Sequence, residues 1–148
     1  MGTLLVAVQF TLLLLLVVYA TPPIWVGGFG SVPAAAYLLA GASVALGVWT
    51  LAHNRIGNFN IRPAPRPDGT FITTGPYRWI RHPMYTSLLF GAGALAWTSR
   101  PITAWVLWSV LTFVLYAKAR LEENGMRDLH ADYAAYMART TRFIPWLV

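Results

Sequence analysis

Four stretches of this chain are too apolar to face water. Residues 4–19 form a near-unbroken apolar run, residues 34–51 and 84–97 carry no charge, and residues 102–119 carry one, Lys118. A bilayer core needs about 20 apolar residues per helix. Only 11% of the residues are charged and 57% are hydrophobic, whereas a soluble domain usually carries about 25% charged residues. The expected fold is therefore an all-α integral membrane protein of one domain. It has four transmembrane helices near residues 4–20, 34–52, 83–98 and 101–121, and a cytoplasmic C-terminal helical tail. Residues 21–33, rich in Pro and Gly, read as a loop. The first run lacks a basic leading segment and a small-residue cleavage site, so it reads as a span and not as a signal peptide. The third span is short, but the turn at Pro83 and the pair Trp97-Thr98 can extend it. Small residues four apart (Ala36 with Ala40, Gly41 with Ala45, Ser43 with Gly47) mark the second span as a packing face.

The net charge of +6 has no soluble basic face to carry it, so nucleic acid is not an expected partner. Basic residues concentrate between the second and third spans (Arg55, Arg62, Arg66, Arg78, Arg81) and in the tail (Lys118, Arg120, Arg127, Arg139, Arg142), with Arg100 alone between spans three and four. The positive-inside rule then puts both termini, the long loop and the tail in the cytoplasm. The chain has no cysteine, which excludes disulfides and thiolate metal sites. None of the three His is paired at zinc spacing, so no metal is expected.

The chemistry-bearing residues fall into two clusters. Residues 73–85 run Thr-Thr-Gly-Pro-Tyr-Arg-Trp-Ile-Arg-His-Pro-Met-Tyr. Gly75-Pro76 is a turn dipeptide, and Pro83 suits the first position of the helix that follows. Glu122-Glu123 lies at the end of the next apolar helix. A short turn at 99–101 makes these two helices an antiparallel hairpin, with His82 about 18 residues before it and Glu122 about 22 after, a mismatch of roughly 6 Å. The two clusters should meet at one cytoplasmic corner, built from residues 58–85 and 118–146. The corner offers carboxylates, cations, an imidazole, free N–H groups at a helix start and tyrosines. Such groups suit a polar, zwitterionic, adenine-bearing ligand, and would equally accept a lipid head group.

In this order, Gly75-Pro76-Tyr77-Arg78, Arg81-His82-Pro83-Met84-Tyr85, Glu122-Glu123, Tyr133 with Tyr136, and Arg142-Phe143-Ile144-Pro145 resemble the isoprenylcysteine carboxyl methyltransferase and phospholipid methyltransferase superfamily. Asn58-Phe59-Asn60 resembles the isoprenylcysteine branch. The resemblance implies a membrane-embedded methyltransferase that uses S-adenosyl-L-methionine. It implies cofactor-binding roles for Gly69, Thr70, Phe71, Ile72, Tyr77, Arg81, His82, Pro83, Met84, Tyr85, Glu122, Tyr133 and Tyr136. It also implies catalytic or substrate-contacting roles for Glu123, Lys118 and Arg142. The spacing after Glu122-Glu123 is one residue shorter than the family pattern, which leaves open which of the two faces the cofactor. Gly91-Ala92-Gly93 reads as helix packing.

The expected function is methyl transfer to a lipophilic substrate entering from the bilayer, most simply carboxyl O-methylation of an isoprenylcysteine-like molecule. Two alternatives stand beside it: a phospholipid or amine N-methyltransferase, and a non-enzymatic lipid-binding membrane protein.

Overall fold

The computed structural model describes residues 2–54, 70–99 and 101–145. Asn58-Phe59-Asn60, Gly69 and the arginines at 55, 62, 66 and 100 lie outside the described residues. Five α-helices follow in order: α1 Gly2–Gly27, α2 Ala34–His53, α3 Pro83–Ser99, α4 Ile102–Leu129 and α5 Tyr133–Arg139. Among the described residues the one strand-like pairing is an isolated parallel bridge between Ile80 and Thr141. Three helices, α1, α2 and α4, are long and apolar enough to cross a membrane, with mean hydropathies of 2.4, 1.7 and 1.5.

α1 runs further than the loop expected over residues 21–33. It passes through Pro22 and Pro23 to Gly27. A proline in a helix leaves the carbonyl four residues back without its donor. Here the Thr21 hydroxyl supplies it, donating to Val18 O at 3.0 Å and Val17 O at 2.7 Å, a repair that membrane helices use. The helix stops at Gly28, whose φ of 64° with ψ −177° is a conformation open to glycine because it has no Cβ.

α3 holds the bundle together, packing against α1, α2 and α4. Its 17 residues make about 26 Å of helix, shorter than the other three. Eleven of them are buried, so its neighbours cover most of its surface. Against α2 the fit is backbone-close. Ser43 and Ser87 exchange hydroxyl-to-carbonyl hydrogen bonds, each 2.8 Å. A Cβ on Gly91 would lie 3.0 Å from Ser43 Oγ, and one on Gly47 3.0 Å from Ser87 Oγ. Gly93 lies against Trp108 and Leu39. Ser43 and Gly47 thus lie on the packing seam that their spacing predicts, whereas Ala40, Gly41 and Ala45 are exposed and a Cβ on Gly41 would meet nothing within 4 Å. The core proper joins Leu12 and Leu16 of α1, Leu89, Ala92 and Ala96 of α3, and Leu111 and Leu115 of α4.

α4 is longer than its expected span of 101–121: it continues unbroken for 28 residues to Leu129. Glu122 and Glu123 therefore sit within a helix and not at its end. Leu129, Tyr133, Tyr136 and Met137 recur at helical spacing in the sequence, but the helix is split at His130, where the backbone turns extended (φ −130°, ψ 112°). Leu129 is exposed, while Tyr133 and Tyr136 on α5 are buried. Beyond α5 the chain returns beside residues 79–82. Thr141 N–H donates to Trp79 O, Arg81 N–H to Thr141 O and His82 N–H to Arg142 O, at 2.8–3.1 Å. The expected free N–H groups ahead of α3 are thus taken up, at Arg81 and His82, by the C-terminal segment.

Candidate functional site

The hairpin of α3 and α4 brings His82 between the two carboxylates. His82 Nδ1 lies 3.4 Å from Glu122 Oε2, and Nε2 lies 3.3 Å from Glu123 Oε1. The roughly 6 Å mismatch expected from residue counts closes because the glutamate side chains reach back toward α3.

Glu123 is almost wholly buried, at 1% exposure. Arg142 grips it with Nε at 3.0 Å and Nη2 at 2.7 Å, the bidentate geometry that suits a carboxylate. Arg81 donates Nε to the same carboxylate at 2.8 Å and turns Nη1 to the carbonyls of Met137 and Thr140. Glu123 thus pins three separate pieces of chain: the segment before α3, α4 and the C-terminal return. Resemblance assigns Glu123 and Arg142 to catalysis and Arg81 to the cofactor. The structure engages all three with one another.

Glu122 is placed differently. It accepts a short hydrogen bond from the Tyr85 hydroxyl, and its side chain keeps 21% of its surface exposed. The Tyr85 ring stacks on His82, 5.4 Å between centroids and 7° from parallel. Tyr77 stands within the field of Glu122. Burial first, then that charge, push its phenol up to about 12. Asn54 Nδ2 donates to the Tyr77 hydroxyl at 3.2 Å.

The turn that carries Tyr77 is held by Gly75, at φ 59°, where a Cβ would strike the His53 ring at the end of α2. Tyr136 donates its hydroxyl to Tyr77 O at 2.6 Å. Phe71 stacks on His130 and lies across Tyr133 and Tyr136, forming an aromatic wall. Burial raises the phenols of Tyr133 and Tyr136, so both stay neutral donors. Of the remaining expected residues, Pro83 is buried, Met84 and Ile72 are half-buried, and Thr70 is exposed.

Burial alone would lower the His82 imidazole. Its hydrogen bonds to Glu122 and Glu123, and their charges, outweigh burial and raise it above 6.5. The hydrogen bond to Glu123 raises Arg142 despite partial burial. The corner therefore contains an imidazole held between two carboxylates, with two guanidiniums beside them, and of the two carboxylates Glu122 alone has a face left open.

Lys118 is 2% exposed. Its Nζ donates to Gln9 Oε1 of α1 at 2.6 Å and sits 5.1 Å from the centre of the Tyr85 ring. Gln9 was outside every expected motif. A glutamine within the run of residues 4–19 was the available signal, since a polar side chain in an apolar span needs a partner.

These features agree with the comparisons. A cobalt-zinc-cadmium resistance protein, CzcN, of Cupriavidus metallidurans is 29% identical over 83 residues, which are 55% of this chain and 38% of that protein. The chain thus spans less than two fifths of the curated relative it matches. No solved structure matches it. The profile of the isoprenylcysteine carboxyl methyltransferase family matches residues 36–128, from α2 through Glu122-Glu123 almost to the end of α4. By that match, which covers most of the chain and both halves of the His82–glutamate corner, this membrane protein belongs to the isoprenylcysteine carboxyl methyltransferase family.

Proposed function

We propose that the chain transfers a methyl group from S-adenosyl-L-methionine to a lipophilic acceptor at the membrane surface, with the cofactor held at the Glu122 corner. The observation that carries this reading is the division of labour between the two glutamates. Glu123 is enclosed by Arg81, His82 and Arg142, while Glu122 is held by Tyr85 and His82 with one face open. The donor set fits the cofactor. Glu122 offers an anion to an amine, to ribose hydroxyls or to a sulfonium. Phe71, backed by the buried Tyr133 and Tyr136, offers a ring for adenine or for cation–π attraction.

When bound, the cofactor supplies an electrophilic methyl on a cationic sulfur. The chain's own residues then have to orient and exclude water, and such positioning can be worth about 7–11 kcal/mol of barrier. Tyr85 fixes the Glu122 carboxylate by hydrogen bond and the His82 ring by stacking. Lys118, buried behind the Tyr85 ring and bonded to Gln9, supports Tyr85 from the apolar part of α4.

A carboxylate acceptor fits better than an amine. An amine must lose a proton to a base. Both ring nitrogens of His82 already face carboxylates, and Glu123 is closed in by two guanidiniums. Carboxyl O-methylation of an isoprenylcysteine-like acid is therefore the reading favoured over phospholipid or amine N-methylation. The metal-resistance role in the name of the Cupriavidus protein is not adopted, since that protein is matched over 38% of its length.

In this reading α3 is a fourth span, shielded by its neighbours, and both termini and the basic segments lie in the cytoplasm. The test is calorimetric titration of S-adenosylhomocysteine into the detergent-purified chain and a Glu122→Gln variant. Saturable binding that the variant loses is expected. No binding by a folded wild type overturns the proposal and leaves a lipid-binding membrane protein.

A further inference from the structure

The face of α4 turned away from Tyr85 carries a second polar cluster. Tyr116, Arg120, Asn124 and Arg127 follow at spacings of four, four and three residues, so they form one stripe. The C-terminal segment lays Arg142 against it, the guanidinium carbon 4.6 Å from the centre of the Tyr116 ring. With Glu123 these residues line a cleft of about 260 Å³.

The cleft is cationic. Its one carboxylate, Glu123, is already engaged by Arg81, His82 and Arg142. Arg127 meets neutral groups, Asn124 Oδ1 and Met137 Sδ, each at 3.4 Å, and Arg120 is exposed. Among the described residues no carboxylate lies within ion-pair distance of either. Among the described residues, then, two guanidinium charges face the cleft without a paired carboxylate.

Its level along α4 indicates what it meets. Val110 and Phe113 are exposed and apolar, Tyr116 follows, and from Arg120 onward the stripe is polar. That is the order in which a helix passes from hydrocarbon through the interface into water. Lipid phosphates lie at that boundary, and a guanidinium fork matches phosphate oxygens in pairs.

We propose that this cleft binds the phosphate of an anionic phospholipid head group through Arg120 and Arg127, with Tyr116 and Asn124 beside it. The cleft shares Glu123 and Arg142 with the corner but lies on the other face of α4 from Glu122, and binding there does not depend on methyl transfer. Because Arg142 forms one wall, a bound head group would also fasten the C-terminal segment to α4.

The test is native mass spectrometry of the full chain, released from detergent with phosphatidylglycerol or phosphatidylcholine. It is run on the wild type and on an Arg120→Gln, Arg127→Gln double variant, with glycerol 3-phosphate titrated in parallel. The wild type should retain phosphatidylglycerol preferentially, with a preference that falls about thirtyfold in the double variant and weakens as salt is raised. Equal retention of the two lipids by the wild type, or an undiminished preference in the variant, overturns the proposal. Arg-dependent binding of glycerol 3-phosphate without a lipid preference overturns the lipid and leaves a soluble phosphate ester as the ligand. Should the double variant fail to fold, the Arg127→Gln single variant and the salt series decide the same question.

Discussion

Lys118 donates to Gln9 at 2.6 Å inside the bundle, tying α4 to a helix that lies outside the stretch matched by the family profile. Lys118 is the single lysine among eleven basic residues, and among the described residues it is the buried one. An ammonium tolerates burial when its hydrogens find acceptors, and here Gln9 provides one while the Tyr85 ring provides a cation–π face.

Removing one partner should therefore cost more than removing both. Gln9→Leu alone should destabilise the chain by about 1–3 kcal/mol, and pairing it with Lys118→Met should recover much of that loss. Thermal unfolding in detergent across the double-mutant cycle checks this. Strictly additive losses would mean that the two side chains do not depend on each other. Since Lys118 is the one side-chain amine, its labelling by an amine reagent should also speed up in Gln9→Leu.

The two glutamates should part company when each is neutralised. Glu123→Gln leaves Arg81 and Arg142 without their shared anion, and breaking a buried pair of this kind costs about 3–5 kcal/mol. The C-terminal return from Tyr133 onward should then become open to protease. Glu122→Gln, with its side chain partly exposed, should leave that protection unchanged while abolishing binding of S-adenosylhomocysteine. Equal protease sensitivity in the two variants would contradict the division of roles.

His82 makes the docked tail sensitive to pH. Its pKa in the folded chain lies above the ordinary 6.5, so protonation favours the folded state. The sign follows from linkage: this stabilisation is complete below pH 6.5 and is lost as pH rises through the elevated value. The midpoint of unfolding should fall between pH 6 and pH 9, and His82→Gln should flatten that dependence. A wild-type midpoint that rises over this range would contradict it.

The seam between α2 and α3 should tolerate no added bulk. A Cβ on Gly91 would already stand 3.0 Å from Ser43 Oγ, so Gly91→Val must push the helices apart or displace the Ser43–Ser87 pair. Overpacking of this sort costs about 1–3 kcal/mol, read as a lowered unfolding midpoint in detergent. An unchanged midpoint would show that the seam yields.

Much of this protein is decided locally. Apolar runs longer than a soluble domain can expose make membrane helices whatever surrounds them, and Gly75-Pro76 and Pro83 mark a turn and a helix start by their own backbone restrictions. The meeting of His82 with the glutamate pair also follows from local facts, because a short hairpin and a fixed rise per residue leave few other registers. What the sequence did not reveal depends on rotation and on distant partners. Glu122 and Glu123 are neighbours in the chain but about 100° apart around a helix. Only the packing of α4 turns one toward Tyr85 and the other toward Arg81 and Arg142. Gln9 gains its meaning from Lys118, 109 residues away. Where α1 continues through Pro22, the Thr21 hydroxyl takes the place of the missing donor to Val18 O. Periodicity records which faces are apolar, but it does not record which polar group on another segment will satisfy a buried one. That choice is made when the helices pack and every buried charge and donor has to find its partner.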